Sequence, residues 1–168
     1  MKLLALLAPA ILLVSCAGYH LGESKPASLV KVKTIAVPMF RNSTLHPRAE
    51  ALATSAVAAA FVQDGTYRIG GHDHSDAVLE GELSSISYKT IRGRRYNTLA
   101  PEELANTVTI KWTLRDAKDP TKVLASGSST GTSQLFVSAN LQTSKNNALP
   151  EALERAGVSL VSQLANGY

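Results

Sequence analysis

The chain has 168 residues, of which 45% are hydrophobic and 18% charged, and its formal net charge is +4. This length predicts a single domain, and the apolar content excludes a largely disordered chain. Aromatic residues make up only 5% of the sequence, so the core must consist mainly of Val, Leu, Ile and Ala.

The N-terminal segment has the pattern of an export signal. Its apolar run, Leu3 to Val14, is shorter than the ~20 residues that a membrane-spanning helix needs. The run follows Lys2 and stops just before Cys16, the only cysteine of the chain, which is typical of a secretory signal peptide. The tetrad Leu-Val-Ser-Cys resembles a bacterial lipobox, in which the cysteine is lipidated. We expect residues 1–15 to be removed; the alternative is an ordinary signal peptide with a stray cysteine.

This prediction divides the chain into a signal peptide (1–15), a lipidated Cys16 with its tether (16–28) and one domain (29–168). A diacylglycerol and an N-acyl chain on Cys16 would anchor the protein, because two or more acyl chains bind a membrane stably. Ala17 favours the outer membrane, by resemblance to the sorting rule of enteric bacteria. We predict no other cofactor.

The elements of the domain follow from hydrophobic periodicity. The alternation from Leu29 to Val37 predicts a strand with Val30 and Val32 near the core. Apolar residues at three- and four-residue spacing, Leu52 among them, predict a helix ending at Asp64-Gly65. Further strands are predicted at 67–69, 77–88 and 106–116 and from Val123 through the Ser/Thr/Gly-rich stretch 126–133, and a second helix at 149–164 with Pro150 in its first turn.

The resulting order is β-α-β-β-β-β-α. Two helices cannot cover both faces of a sheet, so we predict an α+β fold: a two-layer sandwich with both helices on one face of a mostly antiparallel sheet of four to five strands.

The candidate catalytic and metal-binding residues are few. His72, Asp73 and His74, with Asp76 nearby, could hold a metal ion or form an ordinary polar loop, and the loop is favoured because a third ligand is lacking. Glu80 and Glu82 are predicted to face solvent, and Glu102-Glu103 to flank a turn. No Gly-x-Ser-x-Gly stretch lies at a predicted strand-to-helix turn, where a nucleophile elbow would stand, because the one match, residues 127–131, falls within a predicted strand. We therefore predict a protein that is not an enzyme and holds no metal.

The most informative segment is basic. Lys89, Arg92, Arg94 and Arg95 lie within seven residues at the end of a predicted strand, which suggests a flexible, positively charged loop. It could be a solvated turn or an anion site, since arginine binds phosphate and carboxylate groups at two points. Lipid headgroups, the phosphorylated sugars of lipopolysaccharide or an acidic protein surface are candidate ligands, and no nucleic acid is expected for an exported protein.

Several segments resemble the family of the lipopolysaccharide-assembly lipoprotein LptE. The residues 16–22, CAGYHLG, look like its lipid-anchored start, and 35–44, IAVPMFRNST, resemble its strand-and-turn pattern. Residues 64–68 and 76–83 follow in the expected order. The Ala-Val-x-x-Phe-x-Asn pattern also occurs in other exported lipoproteins, including curli-secretion-like proteins and activators of peptidoglycan synthases.

The resemblance implies a non-enzymatic protein that plugs the outer-membrane β-barrel LptD, helps it assemble and binds lipopolysaccharide during export. It also implies basic lipopolysaccharide-binding residues near strand ends, a description that Lys89, Arg92, Arg94 and Arg95 fit by chemistry and location. The alternative is a periplasmic lipoprotein that activates a peptidoglycan synthase or serves as a curli-secretion-like accessory protein.

Overall fold

The computed structural model describes residues 25–94, 97–137 and 139–167, and the side chains of 94–101 are not described. The predicted signal peptide, Cys16, the tether up to residue 24 and Arg95 therefore lie outside the described residues, and Arg94 is described by its backbone alone. Within the described ranges, neither helix combines the length and hydropathy that crossing a membrane requires.

The described chain forms one six-stranded sheet and two helices. The elements are β1 (Thr34–Ala36), β2 (Arg41–Asn42), α1 (Ala49–Asp64), β3 (Arg68–Ile69), β4 (Ala77–Arg94), β5 (Asn97–Asp116), β6 (Val123–Phe136) and α2 (Leu141–Asn166). The sheet order is β3-β1-β4-β5-β6, and β2 also pairs with β4. The long pairings β4/β5 and β5/β6 are antiparallel, and the short pairings of β1, β2 and β3 are parallel. The predicted α+β class is confirmed, with β2 as the strand that was not predicted.

Helix α1 begins and ends where the sequence predicts. Gly65 adopts the left-handed conformation at its C-terminal end, and its N–H donates to the Phe61 carbonyl at 3.0 Å. Glycine accepts this conformation without a steric penalty. The predicted apolar stripe is buried except at Leu52, which is 43% exposed and faces outward. The buried positions are Ala49, Ala53, Val57, Ala60 and Phe61.

The first predicted strand is much shorter than expected. Consecutive turns precede β1, since the Leu29 N–H donates to the Pro26 carbonyl and the Val32 N–H to that of Leu29. Turns break the two-residue alternation, so Leu29 and Val32 are buried whereas Val30 is 61% exposed. The prediction that Val30 lies near the core is therefore wrong.

The two faces of the sheet differ sharply in composition. On β5, the side chains of even-numbered residues such as Val108, Ile110 and Leu114 are fully buried under the helices. The odd-numbered side chains, such as Thr107 and Thr109, point to the opposite, uncovered face and remain partly accessible. The helices thus cover one face only, as a two-layer fold requires.

Helix α2 begins at Leu141, eight residues before the predicted start, and Pro150 lies inside it rather than in its first turn. The Asn140 side chain accepts a hydrogen bond from the Thr143 N–H at 3.1 Å, which is an N-cap. The apolar stripe begins only at Ala148, so periodicity could not reveal the polar first turns. The helix packs closely on β6, because a Cβ at Gly131 would collide with the Ala152 carbonyl oxygen.

Candidate functional site

The basic segment singled out in the sequence is a strand and not a loop. β4 continues through it to Arg94 and pairs with the first half of β5, with Lys89 opposite Ala105 and Arg92 opposite Glu103. Register shifts between Thr90 and Arg94 bend this part of the hairpin. The structure therefore presents Lys89 and Arg92 on a hydrogen-bonded framework, which we call the distal end of the hairpin (residues 88–94 and 97–105).

Arg92 already has an anionic partner. Its Nη2 lies 3.0 Å from Oε2 of Glu103, whose side chain is only 9% exposed while that of Arg92 is 63% exposed. The prediction that Glu102-Glu103 flank a turn is thus wrong, since both lie within β5. A half-exposed guanidinium can still bind a second anion through its remaining N–H groups. Among the described side chains, Lys89 is exposed and has no ion-pair partner.

The structure adds a lysine that sequence reasoning missed. Lys145, in the second turn of α2, places its Nζ 4.5 Å from the centre of the Tyr88 ring. A cation over an aromatic face is attracted by about 0.5–1 kcal/mol at an exposed site. Tyr88 precedes Lys89 in β4, and successive side chains of a strand point to opposite faces, so Lys145 lies at the distal end on the helix side of the sheet and Lys89 on the uncovered side. The N-cap Asn140 was the signal that could have extended α2 to include it.

A cleft of about 500 Å³ opens beside Lys145. It lies between β4, the segment that precedes α1 and the start of α2, and Lys145, Tyr88 and His46 all contribute to its lining. Its other lining residues are Ser43, Thr44, Leu45, Ser84, Ser85, Ile86 and Gln142. The lining therefore combines a cation, hydroxyl groups and two aliphatic side chains.

Two polar atoms of this cleft are buried without a hydrogen-bond partner among the described residues: the Tyr88 hydroxyl and Nε2 of His46. Buried polar groups are usually satisfied, so such a pair beside one cleft indicates room for a polar ligand or for water. Burial raises the pKa of Tyr88. Its hydroxyl therefore stays protonated at neutral pH and can donate to an acceptor.

The remaining candidates are not brought together. His72–His74 form one exposed 3-10 turn, with His72 Nδ1 3.8 Å from a carboxylate oxygen of Asp73. In residues 25–94, 97–137 and 139–167, no group of three or more His, Cys, Asp or Glu could hold a metal ion. Glu80 binds Arg115 at 3.0 Å, and Glu82 lies 3.6 Å from Arg41 and accepts a hydrogen bond from Ser43.

The fold and the basic distal end define a small two-layer α+β domain of a kind found in bacterial lipoproteins. It is similar in fold to a minor lipoprotein from Acinetobacter baumannii (TM-score 0.53, 7% identity, covering 81% of this chain and 94% of that one). A hypothetical protein from Chlamydia trachomatis (0.56, 8%, 82% and 99%) and a protein from Xanthomonas campestris (0.54, 16%, 81% and 85%) are also similar. At these identities the likeness concerns the fold alone.

Sequence comparison identifies the family of this chain. The family model for LptE, described as lipopolysaccharide-assembly, matches residues 32–166, and no curated protein matches the chain. The chain belongs to the LptE family, as its motifs suggested. This membership makes it a lipopolysaccharide-assembly protein of the cell envelope.

Proposed function

We propose that the protein is an outer-membrane lipoprotein that occupies the lumen of the β-barrel LptD, helps the barrel to assemble and binds lipopolysaccharide during its export. The observation that carries the proposal is the gathering of cations at the distal end of the hairpin: Lys145 lines the cleft beside Tyr88, and Lys89 and Arg92 lie on the same strand as Tyr88, outside the lining of the cleft. Family membership supplies the context.

The chemistry of the distal end suits a phosphorylated saccharide. Lys89 and Lys145 supply two positive charges, and charge-assisted hydrogen bonds to phosphate are roughly twice as strong as neutral ones. The Tyr88 hydroxyl and the serine hydroxyls of the cleft can bind sugar hydroxyls, which both donate and accept. Arg92 contributes through the N–H groups that do not face Glu103. Arg94 and Arg95 remain predicted ligands.

The size of the domain and its expected lipid anchor support the proposed role as a plug. The lumen of an outer-membrane barrel is polar, and a compact domain with a polar surface fits such an interior. An acyl anchor on Cys16 would confine the domain to the membrane surface and raise its effective concentration near the barrel. We propose the outer membrane as its location, on the periplasmic side or inside the lumen.

A double variant tests the lipopolysaccharide site. Lys89→Ala with Lys145→Ala should weaken the binding of lipopolysaccharide to the purified chain at least tenfold at low salt, because each lost charge-assisted bond costs ~1.5 kcal/mol or more. The matched control is Lys31→Ala with Lys118→Ala, which removes two exposed lysines at the opposite end of the sheet. Equal losses in both double variants would show that binding depends only on net charge.

Co-purification tests the plug. The full-length, membrane-extracted protein should recover LptD in fixed stoichiometry, and both double variants should retain it. Recovery of a peptidoglycan synthase in place of the barrel would contradict the proposal.

A further inference from the structure

The uncovered face of the sheet has an unusual surface. Its central side chains carry short hydroxyl groups from three adjacent strands, arranged in register. We call this surface the hydroxyl face: Ser85, Ser87, Thr107, Thr109, Ser126, Ser128, Thr130 and Thr132. Two complete rows cross it, Ser85–Thr109–Thr130 and Ser87–Thr107–Thr132. The hydroxyls of Thr107 and Thr132, which are neighbours in one row, lie 3.3 Å apart, within hydrogen-bond distance.

Charged residues flank the two complete rows of the hydroxyl face, and Glu80 lies in the row that crosses to Ser126. Glu82 pairs with Lys111 in the row that crosses to Ser128, and Lys89 lies in the row beyond Ser87. A sheet face bathed in water usually carries charged side chains, whereas the centre of a protein–protein interface is depleted of them. The composition of this face is therefore that of a contact surface.

Strand β6 supports the same conclusion independently. It is the edge strand of the described sheet, it is 14 residues long, and it contains neither a charged residue nor a proline. Exposed edge strands normally contain charged residues or prolines, which prevent the open edge from pairing with strands of other chains. Two α2 side chains reach its carbonyls: Arg155 donates to Thr132 at 2.8 Å and Gln163 to Ser128 at 3.4 Å. An edge with so little protection is expected to be covered in the assembled protein.

The surface chemistry narrows the choice of partner. The two complete rows carry no cation for phosphate groups and no apolar side chain for acyl chains, which argues against a lipid surface as the partner at the centre of this face. Hydroxyls both donate and accept hydrogen bonds, so they suit a polar wall such as the lumen of an outer-membrane barrel. Residues 126–134 span ~27 Å at the rise of a β-strand, close to the ~25 Å height of a barrel's apolar band.

From these observations we infer that the hydroxyl face seats directly on the lumenal wall of the barrel partner, with the charged ends of the sheet at the two rims. This inference rests on the proposed function, since it assigns the surface that the plug uses. It differs from that proposal in naming which of the described faces makes the contact, and its test at Thr130 leaves Lys89 and Lys145 unchanged.

Site-specific photo-crosslinking tests the contact. A benzoylphenylalanine at position 130, in the centre of the face, should yield an adduct with LptD in intact cells. The same group at position 121, in the exposed β5–β6 turn, should yield at least tenfold less. In co-purification, Thr130→Arg should lose most of the barrel, because a guanidinium would be forced into an uncharged contact, whereas Thr121→Arg should retain it.

The outcomes separate the two proposals. If the wild-type chain recovers no LptD, the proposed function fails and the inference with it. If the wild type binds LptD but position 130 gives no adduct, or no more than position 121, the plug stands and the assigned face is wrong. Adducts between two copies of this chain from position 130 would overturn the inference in favour of self-association. The thermal unfolding midpoint of Thr130→Arg should equal that of the wild type. This result would show that the variant is folded and that its loss of binding has another cause.

Discussion

The two faces of the same three strands have opposite roles. On the helix-covered face, Ile110 and Leu114 are fully buried and the helices approach the backbone closely. On the hydroxyl face, Thr107 and Thr109 alternate with the buried residues of β5, and no second layer of the described chain covers them. Because successive side chains of a strand point to opposite faces, every second side chain enters the core and the others remain available for recognition. Stability and binding can therefore be changed separately by substitutions one residue apart.

The largest contrast is expected between Ile110 and Thr109. Ile110→Ala should lower the free energy of unfolding by about 2–5 kcal/mol, because it removes buried methyl groups and leaves a cavity. Thr109→Ala, on the adjacent position of the other face, should change it by no more than about 0.5 kcal/mol in the purified chain. Urea titration of both variants measures the difference. Similar losses in the two variants would mean that the hydroxyl face is structural.

A smaller effect is expected where α2 contacts β6. Gly131→Ala should cost about 1–3 kcal/mol, because the added methyl group must displace the helix backbone at Ala152 and Ala156. Gly71→Ala is the matched control, since a Cβ there meets no atom within 4 Å. The same titration should find the control within about 0.5 kcal/mol of the wild type. A stable Gly131→Ala protein would show that the helix can withdraw from the sheet.

The smallest effect is expected at Tyr67, whose hydroxyl is buried, unlike those of the hydroxyl face. Tyr67, 2% exposed, donates its hydroxyl to the Leu164 carbonyl at 2.9 Å, so Tyr67→Phe should cost about 1 kcal/mol. Burial, with a lesser contribution from the Asp64 charge, raises the pKa of Tyr67 to about 12. Because the folded-state pKa exceeds the ordinary value of 10.0, this stabilisation is complete below pH 10 and lost as the pH rises towards 12.

The measurement is the difference in unfolding free energy between the wild type and Tyr67→Phe at pH 8 and at pH 11. The difference should shrink at the higher pH, because only the wild type has a hydroxyl to ionise there. Thr132→Ala, which alters an exposed hydroxyl, should show no such change. A difference that does not vary with pH would contradict the raised pKa of Tyr67.

Much of this architecture could be read from the sequence. The two amphipathic helices, the order of the strands and the two-layer packing follow from periodicity, which depends only on neighbouring residues. The motifs around Cys16 and Ile35 indicated the LptE family, which the family model confirms. Leu52 and Val30 were misplaced because their exposure depends on which side of a helix or turn meets the sheet.

The functional surfaces depended on contacts between distant segments. Sequence alone determined that Lys89 and Arg92 lie close together, because they are three residues apart, but it predicted a loop where the structure has a strand. Only the tertiary structure paired Arg92 with Glu103 and brought Lys145 over Tyr88. It also aligned hydroxyls from three strands into one face, since strand register sets which side chains become neighbours. Local periodicity determines the elements of this protein, and register and packing decide which surfaces are free to bind.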